Sequence, residues 1–245
     1  MLPANAPKVV ALMGKAQRSL GVGGWHKPLN AATHVLDISP YETRCRLAAT
    51  DPRNAERFTK DTWIRMDICG RTPWPFPDRY FDFACCSHVL EDIRDPIWVV
   101  SELCRVAQAG YIETPTPASE ILAGHRPFRP AAVGALHHRW FVEFPSNDQI
   151  VFRMKPHDLL STGLCVSYWT PFYRRDSDRM SHGIFWEKTI SATEAIFDLH
   201  AAIGRYLPGA RSLIHFDPLD RILSKFKPAP AKSYTPEQTA HLPYS

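Results

Sequence analysis

The sequence predicts an α/β protein: a mostly parallel sheet with an antiparallel edge and helices on both faces. Three observations carry this. Short apolar runs recur between residues 34 and 114, each ending in a turn signal. Two of them, Phe81–His88 and Gly110–Thr114, flank a helical segment, and strand, helix, strand within about 35 residues is a crossover between parallel neighbours. The runs are near-continuous in hydrophobicity, as in strands covered on both faces.

The elements follow in order. Lys8 to Leu20 has the composition of a short helix, and Gly21-Val22-Gly23-Gly24 reads as its stop and a linker, because it follows a helical segment and Pro28 comes soon after. His34–Ser39 is the first expected strand, closed by Pro40. Arg46–Thr50 is a weaker second, closed by Asp51-Pro52, and Trp63–Ile68 a third. Phe81–His88 is the fourth. Asp95-Pro96 then supplies an N-cap and a first-turn proline for a helix with Ile97, Val100 and Leu103 at helical spacing. Gly110–Thr114 is the fifth strand, stopped by Pro115. Gln149–Met154 and Gly183–Ile190 are expected as further strands at an antiparallel edge, and Ser191-Ala192-Thr193-Glu194 as a capping box opening a helix to about Leu207. This divides the chain into an N-terminal helix and linker (1–33), a main domain (34–207) with an insertion or lid at 115–148, and a proline-containing tail (208–245).

The 245 residues suit one domain with appendages, or at most two small domains; with 44% hydrophobic and 22% charged residues, a core needs neither disulfide nor metal. The six cysteines form no C-x-x-C pair, so no zinc site is expected and the thiols read as buried hydrophobes of a reducing compartment. The net charge of +4 is spread among interspersed acids and bases, without the footprint of a nucleic-acid binder. No apolar run is long enough to span a membrane, and the N-terminus lacks the charged region of a secretory signal, so a cytoplasmic protein is expected. The sequence is silent on oligomeric state.

In such sheets ligands bind beyond the carboxyl ends of the strands. The polar residues there are Asp37, Ser39, Asp51, Asp67, Ser87, His88 and Glu113, which are expected to line one edge together.

The stretch from Asp67 to Pro115 resembles the small class I S-adenosylmethionine-dependent methyltransferases of the type 11-like subgroup, found in bacterial natural-product and surface-polysaccharide pathways. It carries PFPD-x-x-FD at Pro75–Asp82, SH-x-LE at Ser87–Glu91, the Asp95-Pro96 helix start, and RV before Gly110. His138-Arg139-Trp140 is similar to an H-x-W element of the same subgroup. The resemblance implies a Rossmann-like sheet with S-adenosylmethionine lying across the strand ends. It implies that Asp37 positions the methionine end, with Ser39 beside it among the cofactor-binding residues, that Asp51 accepts from ribose hydroxyls, that Asp67 and Ile68 meet the adenine, and that Ser87 lies near the sulfonium; Tyr41 is a candidate to lie against the sulfonium or adenine, with packing as its alternative role. His88 and His138 are the candidate bases, since histidine titrates near neutrality. Trp140, Phe141 and Phe144 are candidates for an acceptor-pocket wall.

The family's glycine loop after the first strand has no counterpart in Ile38–Thr43. The expected function is methyl transfer to an oxygen or nitrogen of a small-molecule or sugar-linked acceptor. The alternative, motivated by the absent glycines, is a protein that keeps the fold and serves another chemistry or a noncatalytic partner role.

Overall fold

The computed structural model describes residues 1–25, 28–44, 55–126, 129–135, 137–156, 166–169, 173–175, 179–196 and 199–216. The chain divides into two compact units, one of Met1–Thr114, Val142–Phe152 and His182–Glu194, the other of Pro115–Phe141, Arg153–Ser181 and Ala195–Ser245.

The first unit holds α1 (Ala6–Lys15), β1 (Ser19–Val22), β2 (His34–Asp37), β3 (Trp63–Arg65), β4 (Phe83–Ser87), α2 (Pro96–Val106) and β5 (Ala109–Pro115). With β12 (Ser181–Glu187) these strands form a six-stranded sheet in the order β12-β5-β4-β1-β2-β3. Strands β1 to β5 are all parallel. β12 is the antiparallel edge: Gly183 abuts Tyr111 while, towards the other end, Trp186 abuts Gly110 and the Lys188 amide meets the Gln108 carbonyl.

The expected α/β sheet is present, but its first strand is β1, inside the segment read as helix and linker. α1 stops at Lys15 because Ala16 turns extended (φ −63°, ψ 137°), which frees Ser19–Val22 to enter the sheet centre with all four residues buried. A four-residue strand with a glycine at its third position has too little apolar signal to separate it from the preceding helix. His34–Asp37 is therefore the second strand. Arg46–Thr50 lies outside the described residues.

Both faces of the sheet are covered. On one, Val9 and Met13, a helical turn apart on α1, pack with Ala32, Val35, Phe58, Trp63, Phe83, Cys85 and Tyr111. Alternation along β4 sends Ala84 and Cys86 to the opposite face. α2 buries Val99, Val100, Leu103 and Val106; full burial of each such side chain stabilises the fold by about 1.5–3 kcal/mol. Its start is as the sequence predicts, with Asp95 Oδ1 accepting the Trp98 amide at 3.1 Å and proline in the first turn. Cys69, Cys85, Cys86 and Cys104 are free thiols.

β8 (Trp140–Ser146) and β9 (Gln149–Met154) are joined by a two-residue turn, and β13 (Ser191–Glu194) pairs parallel with β9. The capping-box reading of Ser191–Glu194 is thus overturned: ladder bonds to β9 outweigh the local signal, and the helix, α4, runs Leu199–Ser212 with Pro208 inside it. Pro208 to Ser212 is therefore helix, not tail. Residues 217–245 lie outside the description.

The second unit is built around α3 (Pro117–Glu120), β6 (Leu122–Arg126), β7 (Arg129–Val133), β10 (Val166–Trp169), β11 (Tyr173–Arg175), α4 and β14 (Ile214–Phe216). β6 pairs antiparallel with β7 and parallel with β10, and β11 pairs antiparallel with β14. The insertion expected after Pro115 thus contains regular elements.

Candidate functional site

β1 is flanked by β2 on one side and β4 on the other, so the strand order reverses there; the carboxyl ends at such a switch point are where ligands bind in α/β sheets. The turn leaving β1 is Gly23-Gly24-Trp25. Gly23 has φ +73°, and its amide donates to the Leu36 carbonyl at 2.9 Å. A Cβ at Gly23 would overlap the Val89 side chain, so this backbone requires glycine. The reading of these glycines as a helix stop is corrected: they form the loop after the first strand.

Asp37 ends β2 and is 6% exposed. Its Oδ2 accepts the Trp25 amide at 2.8 Å and its Oδ1 the Ser39 amide at 2.7 Å. One carboxylate thus ties the loop after β1 to the loop after β2. Beside it Ile38 and Trp25 are exposed (66% and 46%), with Trp25 Nε1 donating to Thr43 Oγ1 at 3.0 Å.

Beyond β3, Asp67 Oδ1 accepts the Cys69 amide at 2.9 Å and Oδ2 accepts Arg94 Nη2 at 2.7 Å. These two interactions, the amide bond foremost, hold its carboxyl below the usual range. Ile68, by contrast, is buried. Beyond β4, Ser87 Oγ reaches Glu113 Oε1 at 3.4 Å. His88 follows with φ +56°, an unusual conformation for a non-glycine residue; its Nε2 lies 3.0 Å from Glu113 Oε1 and its Nδ1 3.2 Å from Glu91 Oε1.

These carboxylates settle the charge of His88. Hydrogen bonds to Glu113 and Glu91 raise its pKa to about 9 against the effect of burial. Glu113, fully buried, also accepts the Leu2 amide at 2.8 Å and the Tyr111 hydroxyl at 2.6 Å. Burial pushes its carboxyl up, but the bonds from His88, Leu2 and Tyr111 outweigh this and bring it down to about 2. His88 is therefore a cation at neutral pH with both ring nitrogens turned to carboxylates. The expectation that it is a base is corrected: an imidazolium so held has no nitrogen ready to take a proton, and it locks the turn after β4 to β5.

The family model described as "Methyltransferase domain" matches residues 19–112, from the first residue of β1 into β5. No curated protein matches the chain in sequence. Among solved structures it is similar to the [4+2]-cyclase SpnF (18% identity over 46% of each chain, TM-score 0.33). It is also similar to an S-adenosylmethionine-dependent methyltransferase from Mesorhizobium loti (18% identity, 65% of this chain and 72% of that one, TM-score 0.34). A third is the N-terminal domain of EvdMO1, solved in the presence of SAH and D-fucose (15%, 83% and 71%, TM-score 0.35). The chain spans about half the length of the first solved proteins it matches, 46%, 50% and 44% of theirs.

Within residues 19–112, Asp37, Ser39, Asp67, Ser87 and His88 lie at or just beyond the carboxyl ends of the parallel strands β2, β3 and β4. Asp51 lies outside the described residues. Tyr41 is taken up by packing: Arg44 lies over its ring at 3.6 Å and donates to its hydroxyl at 2.9 Å, and Trp63 meets it edge-on. Its expected part in cofactor binding gives way to this role.

His138 belongs to the other unit. Its Nδ1 is 2.8 Å from Glu120 Oε1, and Lys155 Nζ is 2.5 Å from Glu120 Oε2 and 3.0 Å from the Ala135 carbonyl. Burial raises the Glu120 carboxyl, while His138 and then Lys155 lower it, and the net direction is down. Phe141 is fully buried against Tyr206, and Phe144 stacks on His182.

Sequence reasoning missed the Gly23–Trp25 loop, Arg94 and Lys155. The first had a signal. Asp37-Ile38-Ser39-Pro40 ends the second strand of the domain, and counting back from it points to an earlier strand before Gly23. Arg94 and Lys155 had none, since each acts through a partner distant in sequence.

Proposed function

We propose that this protein transfers the methyl group of S-adenosylmethionine to an oxygen or nitrogen of a small-molecule or sugar-linked metabolite. The observation that carries the reading is the Gly23–Trp25 loop hydrogen-bonded to Asp37 at the switch point of the sheet. The residues present fit an adenosyl ligand. Gly23 with its positive φ turns the loop after β1 at the switch point, Asp37 and Asp67 are hydrogen-bond acceptors beyond neighbouring strands, and Ile38 offers an exposed apolar side chain. The absence of glycines after residue 38, which motivated a noncatalytic alternative, loses its force, because the glycine loop follows β1.

When bound, S-adenosylmethionine supplies an electrophilic methyl carbon to the acceptor's lone pair and departs as S-adenosylhomocysteine. The chain's part is to bind, align and exclude water. In this reading Asp37 receives the ribose hydroxyls, taking the role first given to Asp51. Ile38 packs on the adenine, and Asp67 accepts from its amino group. The Gly23–Trp25 backbone faces the methionine end, and Ser87 lies towards the sulfonium.

Calorimetric titration with S-adenosylmethionine and S-adenosylhomocysteine tests the cofactor half: micromolar binding lost in Asp37→Ala supports it, and no binding at millimolar ligand overturns it. Transfer of a labelled methyl group to a panel of alcohols, amines and sugars tests the acceptor class.

A further inference from the structure

Asp67 does not stand by itself beyond β3. Arg94 Nη2 donates to its Oδ2 at 2.7 Å and to the Cys69 carbonyl at 3.1 Å, while the Cys69 amide donates to Asp67 Oδ1 at 2.9 Å. The three groups close a ring: guanidinium to carboxylate, carboxylate to amide, and the same residue's carbonyl back to the guanidinium. Four residues on, Arg71 Nε donates to Asp95 Oδ2 at 2.7 Å, and the other oxygen of Asp95 caps α2. The loop after β3 is thus stitched at two places to the turn that opens α2.

As a contribution to stability this arrangement is minor. The Arg94 and Asp67 side chains are 57% and 42% exposed, and exposed ion pairs of this kind hold a fold together only weakly. Its geometric effect is larger. With one oxygen held by an amide and the other by a guanidinium, the carboxylate has a single orientation, and its remaining lone pairs face a fixed direction on the exposed side of the loop.

We infer that Arg94 is a positioning residue for recognition of the adenine 6-amino group, acting through Asp67. The inference rests on the cofactor reading above and extends it to a residue that touches no ligand atom itself. A fixed, ionised carboxylate accepts from an exocyclic amine and repels a 6-oxo group, whose oxygen is also an acceptor. Arg94 therefore sets how sharply the site separates adenosyl from inosyl ligands. A site built to hydrogen-bond a ligand group discriminates well only while its own polar groups are held in place.

The test measures dissociation constants of S-adenosylhomocysteine and S-inosylhomocysteine for the wild type, Arg94→Ala and Arg94→Lys by calorimetry, without any turnover assay. The wild type is expected to prefer the adenosyl ligand. Arg94→Ala is expected to cut that preference about five- to tenfold, the scale of one well-placed hydrogen bond, mainly by weakening the adenosyl ligand. Arg94→Lys keeps a cation but places it on a shorter side chain without the planar guanidinium that fixes the donor, and is expected to fall between the two. Equal weakening of both ligands by Arg94→Ala overturns the inference and leaves Arg94 as a loop staple. Failure of the wild type to bind either ligand is a different result: it removes the cofactor reading itself. Adenosyl binding with no preference over inosyl removes the role of Asp67 while leaving that reading intact.

Discussion

Trp25 and Asp37, twelve residues apart, are joined by a 2.8 Å hydrogen bond from the backbone amide of the first to Oδ2 of the second. The bond places the glycine loop after β1 and the acidic end of β2 under one carboxylate, whose other oxygen holds the Ser39 amide. Asp37→Asn removes this symmetry, because the side-chain amide offers one acceptor and turns a donor towards the second backbone N–H. The expected result is a loss of about 1–3 kcal/mol of stability in urea unfolding, the cost of a buried donor left unpaired. A fall of at least about tenfold in S-adenosylhomocysteine affinity should accompany it. Unchanged affinity together with lowered stability would leave Asp37 as a loop clamp only.

Gly23 is the next test, since it combines a positive φ with a side-chain-sized gap filled by Val89. Gly23→Ala meets both obstacles and is expected to cost about 1–3 kcal/mol for the backbone alone, with more from the overlap. The double variant Gly23→Ala with Val89→Ala relieves the overlap and leaves the backbone strain, so it should recover stability only in part. Full recovery would show that the left-handed backbone contributes nothing.

How much of this was legible in the sequence depends on the reach of each signal. β4, α2 and β5 were readable because they are long, apolar and bounded by Asp95-Pro96, Gly110 and Pro115, all local features. β1 was not, because a four-residue strand containing Gly21 offers no periodicity, and its place in the sheet comes from pairing with β2 and β4. Missing it made His34–Asp37 the first expected strand, which put the glycine loop where no glycine exists and gave Asp37 the role of a first-strand residue, while the expected third, fourth and fifth strands coincide with β3, β4 and β5. The residue types at the site were visible in advance, His88 included. Its charge was not, because Glu113 lies 25 residues away and reaches it only through the β4–β5 register.

His88 and Glu113 make stability depend on pH in opposite directions. The His88 pKa rises from 6.5 to about 9 in the fold, so its contribution is complete below pH 6.5 and is lost as pH climbs through 9. The Glu113 pKa falls from 4.5 to about 2, so its contribution is complete above pH 4.5 and is lost as pH drops through 2. The pair therefore stabilises most between pH 4.5 and 6.5. Melting temperatures measured from pH 5 to pH 10 should decline through the upper part of that range in the wild type. In His88→Asn the decline should flatten, asparagine being a residue that tolerates the positive φ. An equally steep decline in the variant would assign it to other groups.

The cluster of the second unit carries the last prediction. Glu120 and Lys155 are 4% and 7% exposed and pair at 2.5 Å, with His138 on the other carboxylate oxygen. Removing one member of a buried pair strands the other without its counter-charge, so Glu120→Gln is expected to cost about 3–5 kcal/mol. Replacing both, as Glu120→Gln with Lys155→Met, removes the stranded cation and should restore most of that loss. A residue of about 1 kcal/mol should persist for the Ala135 carbonyl, which loses its bond from Lys155. Urea unfolding of the two single variants and the double gives the coupling directly. Losses that add, rather than cancel, would mean that Lys155 and Glu120 do not depend on each other, and that His138 is oriented by a carboxylate needing no second partner.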